Sequence, residues 1–331
     1  MKSAFLLAPQ KIELRDIEIP RPQKGELLVK IKTALTCGTD LKAFMRGHPV
    51  IPMPGPFGHE FSGVVEETGG GTPYMPGDAV MAVHSAPCLK CPYCKKGLHN
   101  LCESIMDTKV IGAFSEYMLL PAHIVRHNVF YKPKKLGFEE AAFLEPLSCV
   151  VHGMAGLDIK KGDNALVIGA GPIGLLHLLL LKRKGAKVTV SDIKRAKLLK
   201  AKLMGAKEAV TPDRLEPGTP GFDYIFECTG LPQVWEASAG YLRKGGTLIL
   251  FGGCPKGAKV TYDAGRLHYG EITLKGVFHF RPSDVREAYR LLTEGGLGVG
   301  RLVSGRYPLK EIRKAFEKLL KGEGIKYAIV P

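Results

Sequence analysis

Between residues 165 and 192 the chain reads ALVIGAGPIGLLHLLLLKRKGAKVTVSD, and this stretch restricts the fold more than any other. Residues 165–168 are a short apolar run with β-branched members, which predicts a buried strand. Gly169, Gly171 and Gly174 follow, with Ala170, Pro172 and Ile173 between them, so that G-x-G-x-x-G falls at a strand-to-helix turn. The first glycine there permits the tight turn, the second lets backbone approach a pyrophosphate, and the third lets the helix lie close to the sheet. The helix predicted over 173–184 aims free N–H groups and the positive end of its dipole at that phosphate. A second strand, 187–191, ends on Asp192, 18 residues beyond Gly174. A carboxylate at that point accepts hydrogen bonds from the adenosine ribose hydroxyls and repels a 2′-phosphate, so NAD is expected over NADP. Lys194, Arg195 and Lys197 come next and soften that discrimination while the acid dominates; Pro172, Ile173 and Lys197 join the expected cofactor contacts. A lone G-x-G-x-x-G arises by chance among 40 glycines; the strand before it, the helix after it and the spaced acid give this one weight.

The alternation continues beyond Asp192. A helix is expected over 194–204, strands at 209–210 and 224–227, a helix over 235–242, and strands over 247–252 and 272–278. Strands alternating with helices predict an α/β fold with a doubly wound parallel sheet. Amphipathic helices over 283–292 and 310–320 and a strand at 326–330 follow it. Ahead of it, residues 1–35 alternate apolar and polar positions around Pro20, Pro22 and Gly25, and strand character recurs at 61–66 and 110–129. These features predict a β-rich domain. A helix over 138–153 leads into the first dinucleotide strand and carries Glu145 on its apolar face. A buried carboxylate without a partner is costly, so Glu145 is paired with a buried cation or faces a metal.

Cys88, Cys91, Cys94 and Cys102 give C-x2-C-x2-C-x7-C in a loop stiffened by Pro87, Pro92 and Gly97. Four thiolates from one short loop close a tetrahedral shell around zinc and leave no position for substrate, which predicts a structural site. The spacing departs from common iron–sulfur patterns. Cys149, Cys228 and Cys254 read as small buried residues. His84, His99, His123, His127, His152 and His177 show no ligand spacing and read as structural.

The formal charge of +15 raises nucleic acid as a partner. The lysines and arginines are scattered, with no basic block interleaved with aromatics, and read as a solvated surface attractive to an anionic substrate or cofactor. The longest apolar run, 175–181, contains His177 and is too short to span a bilayer. The N-terminal apolar run is too short for a signal peptide. The expectation is a cytoplasmic protein of two domains without nucleic-acid or membrane partners.

Taken together, these residues resemble the zinc-dependent medium-chain dehydrogenase/reductase superfamily, from Cys37-Gly38-Thr39-Asp40 through PMPGPFGHE (52–60) to the terminal KYAIV. Glu145-Pro146-Leu147-Ser148 brings the chain nearest to the sorbitol (polyol) and threonine dehydrogenase branch. The resemblance implies a Rossmann domain (150–280) inserted in a β-rich GroES-like catalytic domain (1–149, with the zinc lobe 88–102, and 281–331), with the active site in the cleft. It implies that Cys37 and His59 ligate a catalytic zinc. Glu60 and Glu145 are the candidates for the remaining protein ligand or for holding a water at the metal. Cys88, Cys91, Cys94 and Cys102 match the structural zinc lobe, making two zinc ions per subunit besides NAD. Thr39 matches the hydroxyl that passes the alcohol proton outward. The next relay position, a histidine in many members, is Lys42 here, which leaves Lys42, His48 or water for the exit. Lys326 is placed to reach the cofactor pyrophosphate. Arg281 either grips an anionic group on the substrate or serves a surface or interface role. A homodimer or homotetramer joined through 272–278 is implied.

The implied activity is oxidation of a secondary alcohol of a polyol, sugar or cyclitol to a ketone, with hydride transfer to NAD. The alternative is L-threonine 3-dehydrogenase or another amino- or simple-alcohol dehydrogenase, against which stands FMRGH (44–48), lacking that branch's usual aromatic-acidic pattern. A non-catalytic, nucleic-acid-binding zinc protein and a zinc-free quinone reductase both conflict with Cys37, His59 and Glu145.

Overall fold

Strand Leu27–Leu35 is flanked by Glu60–Thr68 and Lys326–Val330, both antiparallel to it, in a seven-stranded sheet. The structure, a computed structural model describing residues 1–217 and 221–331, places this sheet in a unit made of Met1–Val151 and His279–Pro331. The sheet runs Val303–Pro308, Lys326–Val330, Leu27–Leu35, Glu60–Thr68, Ala79–Ala82, Val129–Tyr131, with Tyr117–Leu120 also pairing Leu27–Leu35. A three-stranded sheet, Lys11–Asp16, Lys2–Ala8, Gly55–Pro56, lies in the same unit. Its core gathers Phe44, Phe57, Phe114 and Phe316, whose ring centroids lie 4.9–5.9 Å apart in the contacting pairs.

The second unit, His152–Phe278, is the expected parallel sheet. Its six strands run Glu208–Val210, Lys187–Ser191, Asn164–Ile168, Phe222–Glu227, Leu242–Leu250, Thr273–Gly276, and all five neighbouring pairs are parallel. With the strands numbered in chain order this is the 3-2-1-4-5-6 arrangement of dinucleotide-binding sheets. Helix Pro172–Arg183 buries every residue from Gly174 to Leu181, consistent with a helix packed on a sheet face. No helix among the described residues is long and apolar enough to cross a membrane.

Several elements differ from expectation. The strand pattern over 110–129 contains strand Tyr117–Leu120, then helix Ala122–Asn128. Pro121 opens that helix with φ −64°, and Ile124, Val125 and Asn128 form its buried side, so a 3.6-residue period hides inside an apolar run. The helix expected over 138–153 is two helices, Phe138–Ala141 and Leu144–Met154. The helix expected to reach residue 242 ends at Ser238, one 3-10 turn follows, and strand Leu242–Leu250 begins five residues before the expected 247. Its exposed start, Arg243 to Gly245, lacks the apolar alternation that marks a strand. Helix Ala264–Tyr269 and strand Val303–Pro308 carry too little periodicity to be seen in the sequence.

Candidate active site and metal centres

Strand register assembles the first cluster. Leu35 pairs Glu60 on one side and Ala328 on the other, so the chain just beyond Leu35 meets the ends of two neighbouring strands. Thr36 fixes the second meeting: its N–H donates to the Tyr327 carbonyl (3.0 Å), and its Oγ1 accepts from the Tyr327 N–H (2.9 Å). Cys37 follows as the N-cap of helix Gly38–Arg46, whose first turn carries Thr39 and the fully buried Asp40. One ligand atom each from Cys37, His59 and Glu60 lies within 4.8 Å of the others.

The groups around this trio are charged and buried. Lys326 is 1% exposed and ion-pairs with Glu60 Oε2, while its Nζ also donates to the Thr36 carbonyl (2.7 Å). Lys326 was expected at the cofactor pyrophosphate; its ammonium is instead taken up inside the first unit by Glu60 and Thr36. Glu60 Oε1 is buried with no hydrogen-bond partner, as expected of an oxygen kept for a metal. His59 Nδ1 lies 3.3 Å from Asp40 Oδ1, an orienting contact that leaves Nε2 for a metal. Burial works to lower the His59 pKa, but Asp40 and then Cys37 outweigh it and hold the imidazole well above its ordinary value. Burial, then the Glu60 charge, raises the Cys37 thiol. Burial raises the Glu60 carboxyl despite Lys326 beside it; burial alone would lower Lys326, and Glu60 raises it.

Glu145 stands outside the 4.8 Å trio. Burial pushes its carboxyl up to about 7, with His59 opposing. Its Oε1 lies 3.5 Å from His84 Nδ1 and accepts a long contact from the Cys149 thiol (3.8 Å). His84, read from sequence as structural, packs its ring 5.1 Å from that of His59 and 5.5 Å from that of His279. The register gives the reason: Phe61 pairs Ala82, and two further steps of that antiparallel ladder bring residue 59 opposite residue 84. Desolvation, then His59 and His279, hold His84 well below the ordinary imidazole value. His279 adopts φ +61° and shares a 2.7 Å hydrogen bond with Ser85 Oγ. Arg281 is tied down in a helix cap, its backbone N–H and its Nε both on Asp284 Oδ2 (2.8 and 3.2 Å). Lys42 and His48 are both part-buried, and burial, then Lys42, lowers the His48 imidazole.

The second metal-type group is the thiol lobe. One sulfur each from Cys88, Cys91, Cys94 and Cys102 lies within 4.8 Å of the others, and all four are free thiols. Backbone N–H groups point at the sulfurs, Cys88 N–H to Cys102 Sγ (3.3 Å) and Cys91 N–H to Cys88 Sγ (3.4 Å). The backbone N–H groups of Lys90 and Cys91 lower the Cys88 thiol to about 6, whereas burial raises Cys94 to about 12. Four sulfurs around one point, without a disulfide, fit zinc.

In the second unit Gly169 has φ +99°, open to glycine at little cost. A Cβ on Gly174 would lie 1.9 Å from the Gly169 carbonyl oxygen, whereas one on Gly171 would meet nothing within 4 Å. Gly174 is therefore required by helix packing, and the bare backbone at Gly171 leaves a cradle for a phosphate. Pro172 opens the helix, and Ile173 and Gly174 follow in its first turn, where N–H groups lack intrahelical acceptors. Asp192 accepts the Ala170 N–H on Oδ2 and the Lys194 N–H on Oδ1, both 2.8 Å. The acid thus ties the glycine turn to the following loop, a role the spacing did not reveal. Lys197 lies half-buried in helix Arg195–Leu203.

A dinucleotide-type sheet together with a mixed Cys/His/Glu centre and a four-thiol lobe defines a metal-dependent oxidoreductase. Residues 23–129 match the family model of the alcohol dehydrogenase GroES-like domain, and residues 172–294 that of zinc-binding dehydrogenases. D-altritol 5-dehydrogenase of Agrobacterium fabrum is 33% identical over 319 residues, covering 92% of each chain. Sorbitol dehydrogenase of Ovis aries is 32% identical over 344 residues, covering 99% of this chain and 95% of its own. A crystal structure of a zinc-binding dehydrogenase from Sinorhizobium meliloti, bound to NADP, superposes with a TM-score of 0.90 at 29% identity, covering 100% of this chain and 99% of that one. The chain belongs to the zinc-dependent medium-chain dehydrogenase family, as its motifs led us to expect.

Proposed function

We infer that this protein oxidises a secondary alcohol of a polyol, sugar or cyclitol to a ketone, passing hydride to NAD. The observation that carries this reading is the convergence of Cys37, His59 and Glu60, with Glu145 nearby, in one cluster that is buried except at the part-exposed Cys37. Similarity to D-altritol and sorbitol dehydrogenases supports a polyol over threonine as substrate. Zinc held by Cys37, His59 and Glu60 supplies, when bound, a Lewis acid that makes an alcohol more acidic. Asp40 orients the His59 ring, and Lys326 offsets the Glu60 charge. Glu145, its carboxyl pushed up to about 7 by burial, is suited to hold water or a substrate hydroxyl. Thr39, half-buried one residue before Asp40, starts the proton's way out, with Lys42, His48 or water beyond it.

The second zinc, in the thiol lobe, is structural. Asp192 supports NAD over NADP, and the NADP in the Sinorhizobium neighbour makes a direct comparison of the two cofactors necessary. A homodimer or homotetramer would form along Thr273–Gly276, the edge strand of its sheet, with Phe278 49% exposed just after it. A reducing cytoplasm suits a lobe that keeps four thiols for metal. The test is NADH formation by zinc-replete protein on polyols, cyclitols, L-threonine and simple alcohols, repeated with NADP and with Cys37→Ser. Turnover of a polyol that Cys37→Ser abolishes is expected. Turnover of threonine alone, or activity that survives Cys37→Ser, would overturn the reading.

A further inference from the structure

His84 is a buried polar group of the catalytic unit that the reaction as described leaves without a task. Its side chain is 9% exposed, and Nδ1 has no hydrogen-bond partner. Glu145 Oε1 lies 3.5 Å from Nδ1, and the two make no hydrogen bond. An orphaned nitrogen of this kind costs about 1–3 kcal/mol unless something else satisfies it. The ring is also held in place: His59 packs on it at 5.1 Å, His279 at 5.5 Å and Phe280 at 6.0 Å. His279 is itself fixed by the Ser85 hydrogen bond and by stacking on Phe280 at 4.0 Å. Cys37, Cys149 and His279 are each part-exposed, so the cluster is open on their side. A neutral imidazole N–H facing a carboxylate oxygen is one donor beside one acceptor. A hydroxyl can satisfy both at once, accepting from the ring and donating to the carboxylate, and on a substrate it takes the place of a water there.

We propose that His84 Nδ1 and Glu145 Oε1 together bind a second hydroxyl of the substrate, on the carbon next to the one oxidised, and so select vicinal diols over simple secondary alcohols. This rests on the alcohol-oxidation reading above and names the substrate feature that the site recognises. His84 is a specificity residue and takes no part in hydride transfer. A site built to hydrogen-bond a hydroxyl discriminates strongly against the analogue that lacks it, because its own polar groups are then left unpaired.

The test compares butane-2,3-diol with butan-2-ol, which differ by that one hydroxyl, in zinc- and NAD-saturated protein. The wild type is expected to favour the diol in kcat/KM by about a hundredfold or more. His84→Phe is expected to shrink that ratio at least about tenfold, mainly through a higher KM for the diol. His84→Asn, which keeps a donor, is expected to restore part of it. Zinc content is measured for every variant. A ratio unchanged in His84→Phe would overturn the proposal, as would a parallel loss on both alcohols with loss of zinc. A wild type that oxidises both alcohols equally would overturn it and leave the general reading standing. A wild type inactive on both, and on the wider polyol panel, would overturn both.

Discussion

Lys326 and Glu60 form an ion pair in which neither side chain reaches solvent, 1% and 0% exposed, across 266 residues of sequence. The Thr36 carbonyl holds the ammonium from another side. Removing one partner of such a pair strands the other charge in the interior at a cost of about 3–5 kcal/mol. Lys326→Met should therefore lower the thermal midpoint. The drop should be larger in chelator-treated protein than in zinc-loaded protein, where the metal supplies positive charge to Glu60. Lys326→Arg should lie close to wild type. Equal drops with and without zinc would mean that the pair has no link to the metal site.

Zinc loading at Cys37 and His59 should be strongly pH-dependent. Both groups hold their protons more tightly than usual in the metal-free protein, and both must lose them to bind. Protons compete with zinc, so affinity should rise with pH, by about tenfold per pH unit for each proton released. Chelator competition between about pH 6 and about pH 8 should give a slope between one and two protons. In the metal-free protein the raised His59 pKa adds stability that is full below the ordinary imidazole value and fades as pH climbs through the raised one. A flat affinity profile would contradict the Asp40–His59 electrostatics.

The thiol lobe should react unevenly once its metal is stripped. At neutral pH the Cys88 thiol, lowered to about 6, is mostly thiolate, and Cys94, raised to about 12, is not. Iodoacetamide footprinting by mass spectrometry should label Cys88 well ahead of Cys94 after chelation, and neither before it. Cys102→Ser should remove one of two zinc ions per chain. Labelling of Cys88 that ignores zinc would argue against a metal in the lobe.

Cofactor choice should shift with Asp192. Its carboxylate holds the Ala170 and Lys194 N–H groups, and our reading assigns it the ribose hydroxyls of the cofactor as well. Asp192→Ala should raise KM for NAD about tenfold or more and move the NAD/NADP ratio of kcat/KM towards NADP. Gly174→Ala should impair both cofactors alike, since the new Cβ would press on the Gly169 carbonyl. A selective effect of Gly174→Ala would contradict a packing role.

The parts of the site legible from spacing alone are those whose partners lie close along the chain, whereas Cys37 and His59 are reached only through the family resemblance. The C-x2-C-x2-C-x7-C lobe folds within the 15 residues from Cys88 to Cys102 and the glycine turn within the six from Gly169 to Gly174, so spacing alone implies geometry. Glu60 and Lys326, or His59 and His84, meet only because strand ladders put them side by side. No local pattern marks such pairs. A signal for His84 existed all the same: it lies two residues past strand Ala79–Ala82, level with His59 across the ladder. Helix Ala122–Asn128 was obscured because Ile124 and Val125 read equally well as strand.

The pairing of Lys326 with Thr36 and Glu60 also sets an order of events during synthesis. Cys37, His59, Glu60 and Glu145 all leave the ribosome long before the strand that carries Lys326. Until that strand docks against Leu27–Leu35, the Glu60 carboxyl lacks the cation that answers it in the folded unit. Closing so long a loop is slow compared with local folding. A nascent chain thus holds the metal-site donors well before it gains the electrostatic balance of that site, and a polypeptide cut short before residue 326 keeps the donors without the balance.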